Sequence, residues 1–157
     1  MPHIHELIDW CVGVYIVHNN RVLIRRHDKY PIWVHVGGHI ELDEDPIAAA
    51  ARECREEVGL DITIVDSDGE PDTEPEPNVR YLPRPAHMNI HYVGDSAHQH
   101  IDLIYYATSE TDDVTPEKAT DTWLWLTRDE LDAHNDIRPR IKAYARGALA
   151  ALATGAE

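Results

Sequence analysis

Three glutamates, Glu53, Glu56 and Glu57, stand close together in a segment, Pro46 to Val58, that runs through four alanines and reads as a helix. A helix turns 100° per residue, so the spacing i, i+3, i+4 gathers their carboxylates on one face. Ile47, Ala51, Cys54 and Val58 form a separate apolar stripe suited to packing on a sheet. Like charges at this spacing cost a few tenths of a kcal/mol per pair, and Glu56 and Glu57 also stand in the last turn, where the helix dipole disfavours anions. Such a breach of local rules is expected where function demands it, and the natural compensation is a hard divalent cation. Mg²⁺ is the leading candidate, with Mn²⁺ as a substitute. Gly37 and Gly38, just before the helix, let the backbone approach a ligand closely, and Arg52 is spaced to pair with Glu56 at i+4. Taken alone, though, three glutamates on a helix of so acidic a chain are more commonly a solvated face.

The wider spacing overturns that default. Gly38 is followed after five residues by Glu44, and after seven more by Arg52-Glu53-Cys54-Arg55-Glu56-Glu57-Val58-Gly59-Leu60. From Gly38 to Leu60 this resembles the Nudix hydrolase signature at every fixed position. Seven such residues in register arise by chance on the order of once in 10⁸ windows. Cys54 fills a position where aliphatic residues are usual, and a buried Cys packs equivalently. The resemblance implies an α/β fold, an α/β/α sandwich around a mixed sheet, and hydrolysis of a nucleoside diphosphate linked to a variable group, with water attacking phosphorus. It carries over Glu53, Glu56 and Glu57 as metal ligands, Glu53 also as a candidate base, Arg52 as the residue that orients them, Gly37 as a carbonyl ligand, and Glu44 as a support of the loop. Gly38 and Gly59 complete the structural positions of the box. Proline at 75 and 77 lies near where ADP-ribose hydrolases of the family carry one, while Pro77 stands where dinucleoside polyphosphate hydrolases carry a tyrosine. The substrate stays open between nucleoside triphosphate, ADP-ribose and similar compounds.

The elements that must position this box follow from local signals. His18-Asn19-Asn20 is a turn between two β-rich stretches, Val12 to Val17 and Arg21 to Ile24, hence a hairpin. Ile32 to Val36 reads as a short extended piece. Asp45 is placed as N-cap with Pro46 at N1, and Gly59 as the left-handed terminator. Residues 61 to 65 can form a strand, and Asp66 to Pro77, acidic with three prolines, an exposed loop. Asn89 to Val93, Gln99 to Thr108 and Trp123 to Leu126 read as further strands. Thr127 and Glu130 form a capping box that opens a helix at Arg128, and Ile141 to Ala153 reads as a terminal helix broken or bent at Gly147.

Past the box the signal thins. His98, His100 and Asp102 alternate onto one strand face, with His87 and His91 nearby. Imidazole suits zinc, but a polar face lining the substrate pocket is the commoner meaning of such alternation, and Trp33 joins these three as a pocket candidate. Asp102, Glu110, Asp112, Asp113 and Glu117 are all open as the extra late-chain acid that some Nudix enzymes use. A base would stack on an aromatic platform, for which Trp33, Tyr81, Tyr92, Tyr105, Trp123 and Trp125 are candidates.

With 157 residues the chain is read as one domain, residues 1 to 157. Its 29 acids against 14 bases give a formal charge of -15, which repels nucleic-acid backbones and anionic membranes alike. Cys11 and Cys54 fall in strand and helix interiors and read as buried thiols in a reducing cytosol. No secretion signal or membrane span is evident, so a cytoplasmic protein acting on a small nucleotide is expected, and the alanine-rich tail offers a homodimer surface. Two other classes compete with hydrolysis. A Nudix-fold metabolite sensor without catalysis usually loses box acids, all three of which are present here. An isoprenoid diphosphate isomerase needs a Cys and a Glu at the pocket, and neither cysteine is so placed.

Overall fold

The structure, a computed structural model, describes residues 3–26, 29, 31–66 and 70–155. The first strand, β1 (Ile8–His18), turns through Asn19 and Asn20 into β2 (Arg21–Arg26). Both asparagines have positive φ, 47° and 58°, the conformation of a tight hairpin turn, and Asn tolerates it. The extended piece expected from Ile32 to Val36 is two strands, β3 (Trp33–Val34) and β4 (Val36–His39). The chain changes partner at His35, because β3 pairs with β2 and β4 with β1.

Helix α1 (Pro46–Val58) and β5 (Ile62–Ile64) follow, then β6 (His87–Tyr92), β7 (Gln99–Ser109), β8 (Thr122–Leu126), α2 (Arg128–Ala133) and α3 (Pro139–Ala151). The strand order is β3-β2-β1-β7-β5, with β4 on β1, β6 on β7 and β8 on β2. Only β1 and β7 run parallel, from Ile8↔Gln99 to Val17↔Thr108; the other pairings are antiparallel. The sheet is therefore mixed. Its strands alternate between two cores: Val12, Val14 and Ile16 face α1, while Tyr15 and Val17 face α3. Helices on both faces make the α/β/α sandwich.

The local signals act as read. Asp45 accepts from the N–H groups of Ile47 and Ala48 at 2.8 and 2.9 Å, and Gly59 closes α1 at φ 68°. Thr127 and Glu130 exchange capping-box bonds of 3.3 and 2.8 Å. Residues 70–77 of the acidic stretch are exposed; residues 67–69 lie outside the described part.

Three expectations shift. The buried stripe of α1 is Ala49, Ala50, Cys54 and Val58 with Glu53 among them, whereas Ala51 is only half-buried and Ile47 packs at the edge of the core. Helix α3 runs unbroken through Gly147, whose bare Cα accommodates the Tyr106 hydroxyl, so this glycine serves a close approach. The apolar residues of α3, Ile141, Ala145, Ala148 and Leu149, pack in the core against the sheet, so this face of the alanine-rich tail is spent within the chain. Both cysteines are buried and free. No helix among the described residues is long and apolar enough to cross a membrane.

Gly59→Ala should destabilise the protein by about 1–2 kcal/mol, because an L-residue at positive φ is strained and the new methyl would meet Thr115 Cβ at 2.8 Å. A urea midpoint unchanged from the parent would contradict this account of how α1 ends.

Candidate active site

The site lies where the sheet divides. Only the end of β1 pairs with β2, at Val17↔Val22 and His18↔Arg21, while its first half pairs with β4, from Cys11↔His39 to Val14↔Val36. Helix α1 crosses over β4 and β1, and the inward turn of its second half carries Glu53 and Glu57 onto this division.

Glu53 is 2% exposed. Its carboxyl occupies the space that a Cβ on Gly38 would fill, so glycine at 38 is a steric requirement of this side chain. Gly37 is required in the same way, since a Cβ there would collide with the Val12 carbonyl. The Gly37 N–H donates to Glu57 Oε2 at 3.1 Å. On its other side Glu57 Oε1 meets Arg25 Nη1 at 2.9 Å. Glu56 points outward, its side chain about half exposed. The three acids thus form a graded set: Glu53 buried, Glu57 partly buried and Glu56 at the rim.

Arg52 organises them. Its Nε and Nη2 donate to the two oxygens of Glu44 at 2.6 and 2.9 Å, a bidentate pair. Nη1 donates to Glu53 at 2.8 Å and to Glu56 at 3.3 Å, and Nη2 also reaches the His39 carbonyl at 2.9 Å. The i+4 pairing read from sequence is present but is the longest of these bonds. Glu44 supports the loop by clamping the guanidinium that holds Glu53 in place.

Burial raises the pKa of Glu53 against the pull of Arg52, and pushes Glu57 up to about 8 against the pull of Arg25. The bonds from Arg52 hold Glu44 below the usual carboxylate range. Two carboxyls that resist ionisation beside a fully ionised one need a further positive charge to be carboxylates together. The carboxylates of Glu53, Glu56 and Glu57 are of the oxygen-donor type that a hard divalent cation takes.

Sequence reasoning missed Arg25, which is 7% exposed on β2, and Asp121, which lies 3.9 Å from it and is 8% exposed. Asp121 Oδ1 is buried without a hydrogen-bond partner among the described residues. A signal existed for Arg25: it shares strand parity with core residue Leu23, and an arginine there requires a counter-charge. Of the late acids, Glu117 lies nearest the site, its N–H bonded to the Glu57 carbonyl at 3.3 Å and its charge felt by the Glu57 carboxyl. Asp112 instead pairs with Arg21 at 2.7 Å, Asp102 with His91 at 3.5 Å, and Glu110 and Asp113 are exposed.

The pocket candidates do not form one patch. Trp33 sits on β3 with its ring 5.7 Å from that of His134, while His98, His100 and Asp102 lie beyond β2 and β1, along β7 and the turn before it. They occupy the sheet face opposite α1, where His100 meets His39 and His98 meets Asp9. Among the aromatic candidates Tyr105 is buried, Trp123 and Trp125 pack on the α1-side core, and Tyr81 and Tyr92 are exposed.

Comparison with known proteins agrees with the geometry. The family model of the NUDIX domain matches residues 8–146. A crystal structure of a NUDIX-family hydrolase from Clostridium perfringens superposes with a TM-score of 0.79 at 30% identity, covering 92% of this chain and 97% of that one. The MutT NUDIX hydrolase of Burkholderia pseudomallei aligns with a TM-score of 0.65 at 16% identity over 90% of this chain and 98% of that one. An Ap4A hydrolase from C. elegans aligns with a TM-score of 0.65 at 19% identity over 92% and 98%. No curated protein matches the sequence. A family model spanning nearly the whole chain, a hydrolase relative with the same fold, and the buried carboxylates between paired glycines and Arg52 lead to one conclusion: the chain belongs to the NUDIX family and is a NUDIX hydrolase.

Proposed function

We propose that the chain is a Mg²⁺-dependent pyrophosphohydrolase that cleaves a nucleoside diphosphate linked to a variable group, in a cytoplasmic setting. The observation that carries this reading is the placement of buried Glu53 and largely shielded Glu57 at the division of the sheet, each held by an arginine and fitted to one of two adjacent glycines. The names of two neighbours, an Ap4A hydrolase and a MutT protein, support a small nucleotide as the substrate class. Mn²⁺ can replace Mg²⁺ in a site of this donor type.

Glu53, Glu56 and Glu57 would hold the cation, with the Gly37 carbonyl as a further ligand and Glu117 as the best-placed late acid. The bound cation supplies charge neutralisation of the diphosphate and lowers the pKa of a water. Arg52 fixes Glu53 through Oε1 and leaves the second oxygen to accept the proton of an attacking water, a task that its raised pKa suits. Arg25 keeps Glu57 turned toward β4. A non-catalytic metabolite sensor is the alternative, and the complete set of box acids favours turnover.

A panel of deoxynucleoside triphosphates, oxidised ones, ADP-ribose, nucleotide sugars and dinucleoside polyphosphates with Mg²⁺ should yield a nucleoside monophosphate from at least one compound, and none after chelation. Tight binding without product across the panel would favour the sensor. Glu53→Gln and Glu56→Gln should each lower the rate by at least about 10²-fold, and an unchanged Mg²⁺-dependent rate would remove that residue from the mechanism. The raised pKa of Glu57 sets a pH dependence. Below about 8 its carboxyl holds a proton that competes with the cation, so Mg²⁺ affinity should rise with pH and level off above about 8. In the metal-free protein the same group makes folding weaken as pH rises from its unfolded value toward 8, and Mg²⁺ should restore the loss. Melting curves at about pH 6 and about pH 9, with and without Mg²⁺, test both signs.

A further inference from the structure

The sheet face turned away from α1 carries a second set of chemistry-bearing side chains. On β1 Tyr15 and Val17, and on β7 Ile104 and Tyr106, face α3; the same parity places Asp9 and His100 on that face. His39 joins them, since its neighbour Gly38 turns toward Glu53 on the α1 side. Asp9 is fully buried. Its Oδ2 lies 3.2 Å from His98 Nε2, 3.3 Å from His39 Nε2 and 3.4 Å from His3 Nδ1. It also accepts from the Ile4 N–H at 3.1 Å, and His39 Nε2 is 3.2 Å from His100 Nε2.

Hydrogen bonding among neutral groups does not account for this arrangement. His98 Nδ1 is 3.0 Å from the Glu6 carbonyl, which can only accept, so Nδ1 carries the proton. Nε2 of the neutral ring then presents a lone pair to a carboxylate oxygen, a repulsive contact unless a proton or a cation lies between them. The other carboxylate oxygen is taken by the His5 N–H at 2.6 Å. Buried His39 has both its contacts on Nε2, and Nδ1 has no partner among the described residues. Among those residues the ion-pair partners of Asp9 are all imidazoles.

A cation resolves the conflict, because imidazoles bind it through lone pairs and it meets the carboxylate charge. Imidazole nitrogens with one carboxylate suit zinc rather than Mg²⁺. A tetrahedral centre with bonds of about 2.0–2.1 Å has edges of about 3.3–3.4 Å, close to the 3.2 and 3.4 Å that separate Asp9 Oδ2 from His98 Nε2 and His3 Nδ1. We propose that Asp9, His98, His100 and His3, whose ligand atoms all lie within 4.8 Å of one another, bind one zinc-class transition-metal ion, with His39 packed against the centre. The Glu6 carbonyl fixes the His98 tautomer, as outer partners of metal-bound imidazoles do. His3 precedes β1, Asp9 is on β1, His100 is on β7 and His98 is in the turn before it, so the ion clamps the N-terminal segment to the parallel β1–β7 pair. Across the sheet from the box carboxylates, it is a site separate from the Mg²⁺ reading.

The full chain, stripped by a chelator and returned to excess Mg²⁺ to occupy the box carboxylates, is titrated with Co²⁺ and then Zn²⁺. The expected result is one Co²⁺ per chain with the intense visible bands of a four-coordinate ion, displaced by one Zn²⁺ with a rise in melting temperature. Asp9→Asn and His98→Gln should weaken binding at least about 10-fold. His3→Ala, at the exposed end of the cluster, tests the same site if the buried variants fail to fold. Glu57→Gln should leave the bands in place. Wild-type protein with neither bands nor stoichiometric zinc uptake would overturn the proposal and assign the cluster to an aspartate–imidazolium pair. Binding unchanged in His3→Ala and His98→Gln, or abolished by Glu57→Gln, would overturn it equally.

Discussion

Two carboxylates drawn largely out of water against a sheet are the constraint from which the rest of the structure follows. Removing a carboxylate from solvent is costly unless charge and hydrogen bonds replace the lost hydration. Here Arg52 and Arg25 supply part of that compensation, one from the helix and one from the sheet, and the Gly37 N–H supplies another part. The compensation is incomplete, as the upward displacement of both carboxyls shows. That unmet charge is what the proposed cation would meet. A fully neutralised site would have no use for one.

Fitting these side chains requires the backbone to give way. Gly37 and Gly38 have no Cβ, and β2 leaves β1 early so that β4 can take its place. The division also brings Arg25 beside Glu57. Strand alternation then keeps two kinds of chemistry apart. Gly38 faces the carboxylates on the α1 side, and the next residue, His39, enters the imidazole cluster on the other. Hard oxygen donors and borderline nitrogen donors are thus separated by the sheet, which suits sites of different ion preference.

Several elements were legible because their signals are local. The cap at Asp45, the left-handed Gly59, the Asn19-Asn20 turn and the capping box at Thr127 each satisfy backbone groups within a few residues, so sequence suffices to find them. Gly147 is ambiguous in sequence because a glycine at a long-range close approach looks the same as a helix breaker until Tyr106 is placed against it. Similarly, periodicity of apolar residues cannot show that Glu53 belongs to the buried side of α1, because a charged side chain there is stable only once Arg52 and the sheet are in place. The alternation of His98, His100 and Asp102 was visible, but Asp9, His3 and His39 come from distant parts of the chain, and no spacing links them.

Sequence alone determined the family signature of this protein, since Gly38, Glu44, Arg52, Glu53, Glu56, Glu57 and Gly59 occupy one short segment, and the helical period dictates the mutual placement of Arg52 and the three later glutamates. Only tertiary structure decided which acids are buried, which arginine opposes Glu57, which late acid stands nearest, and that four imidazoles surround Asp9. Those relations join residues brought together by strand pairing and sheet parity, and the energy of bringing them there comes from the two apolar cores rather than from any feature near them in the chain.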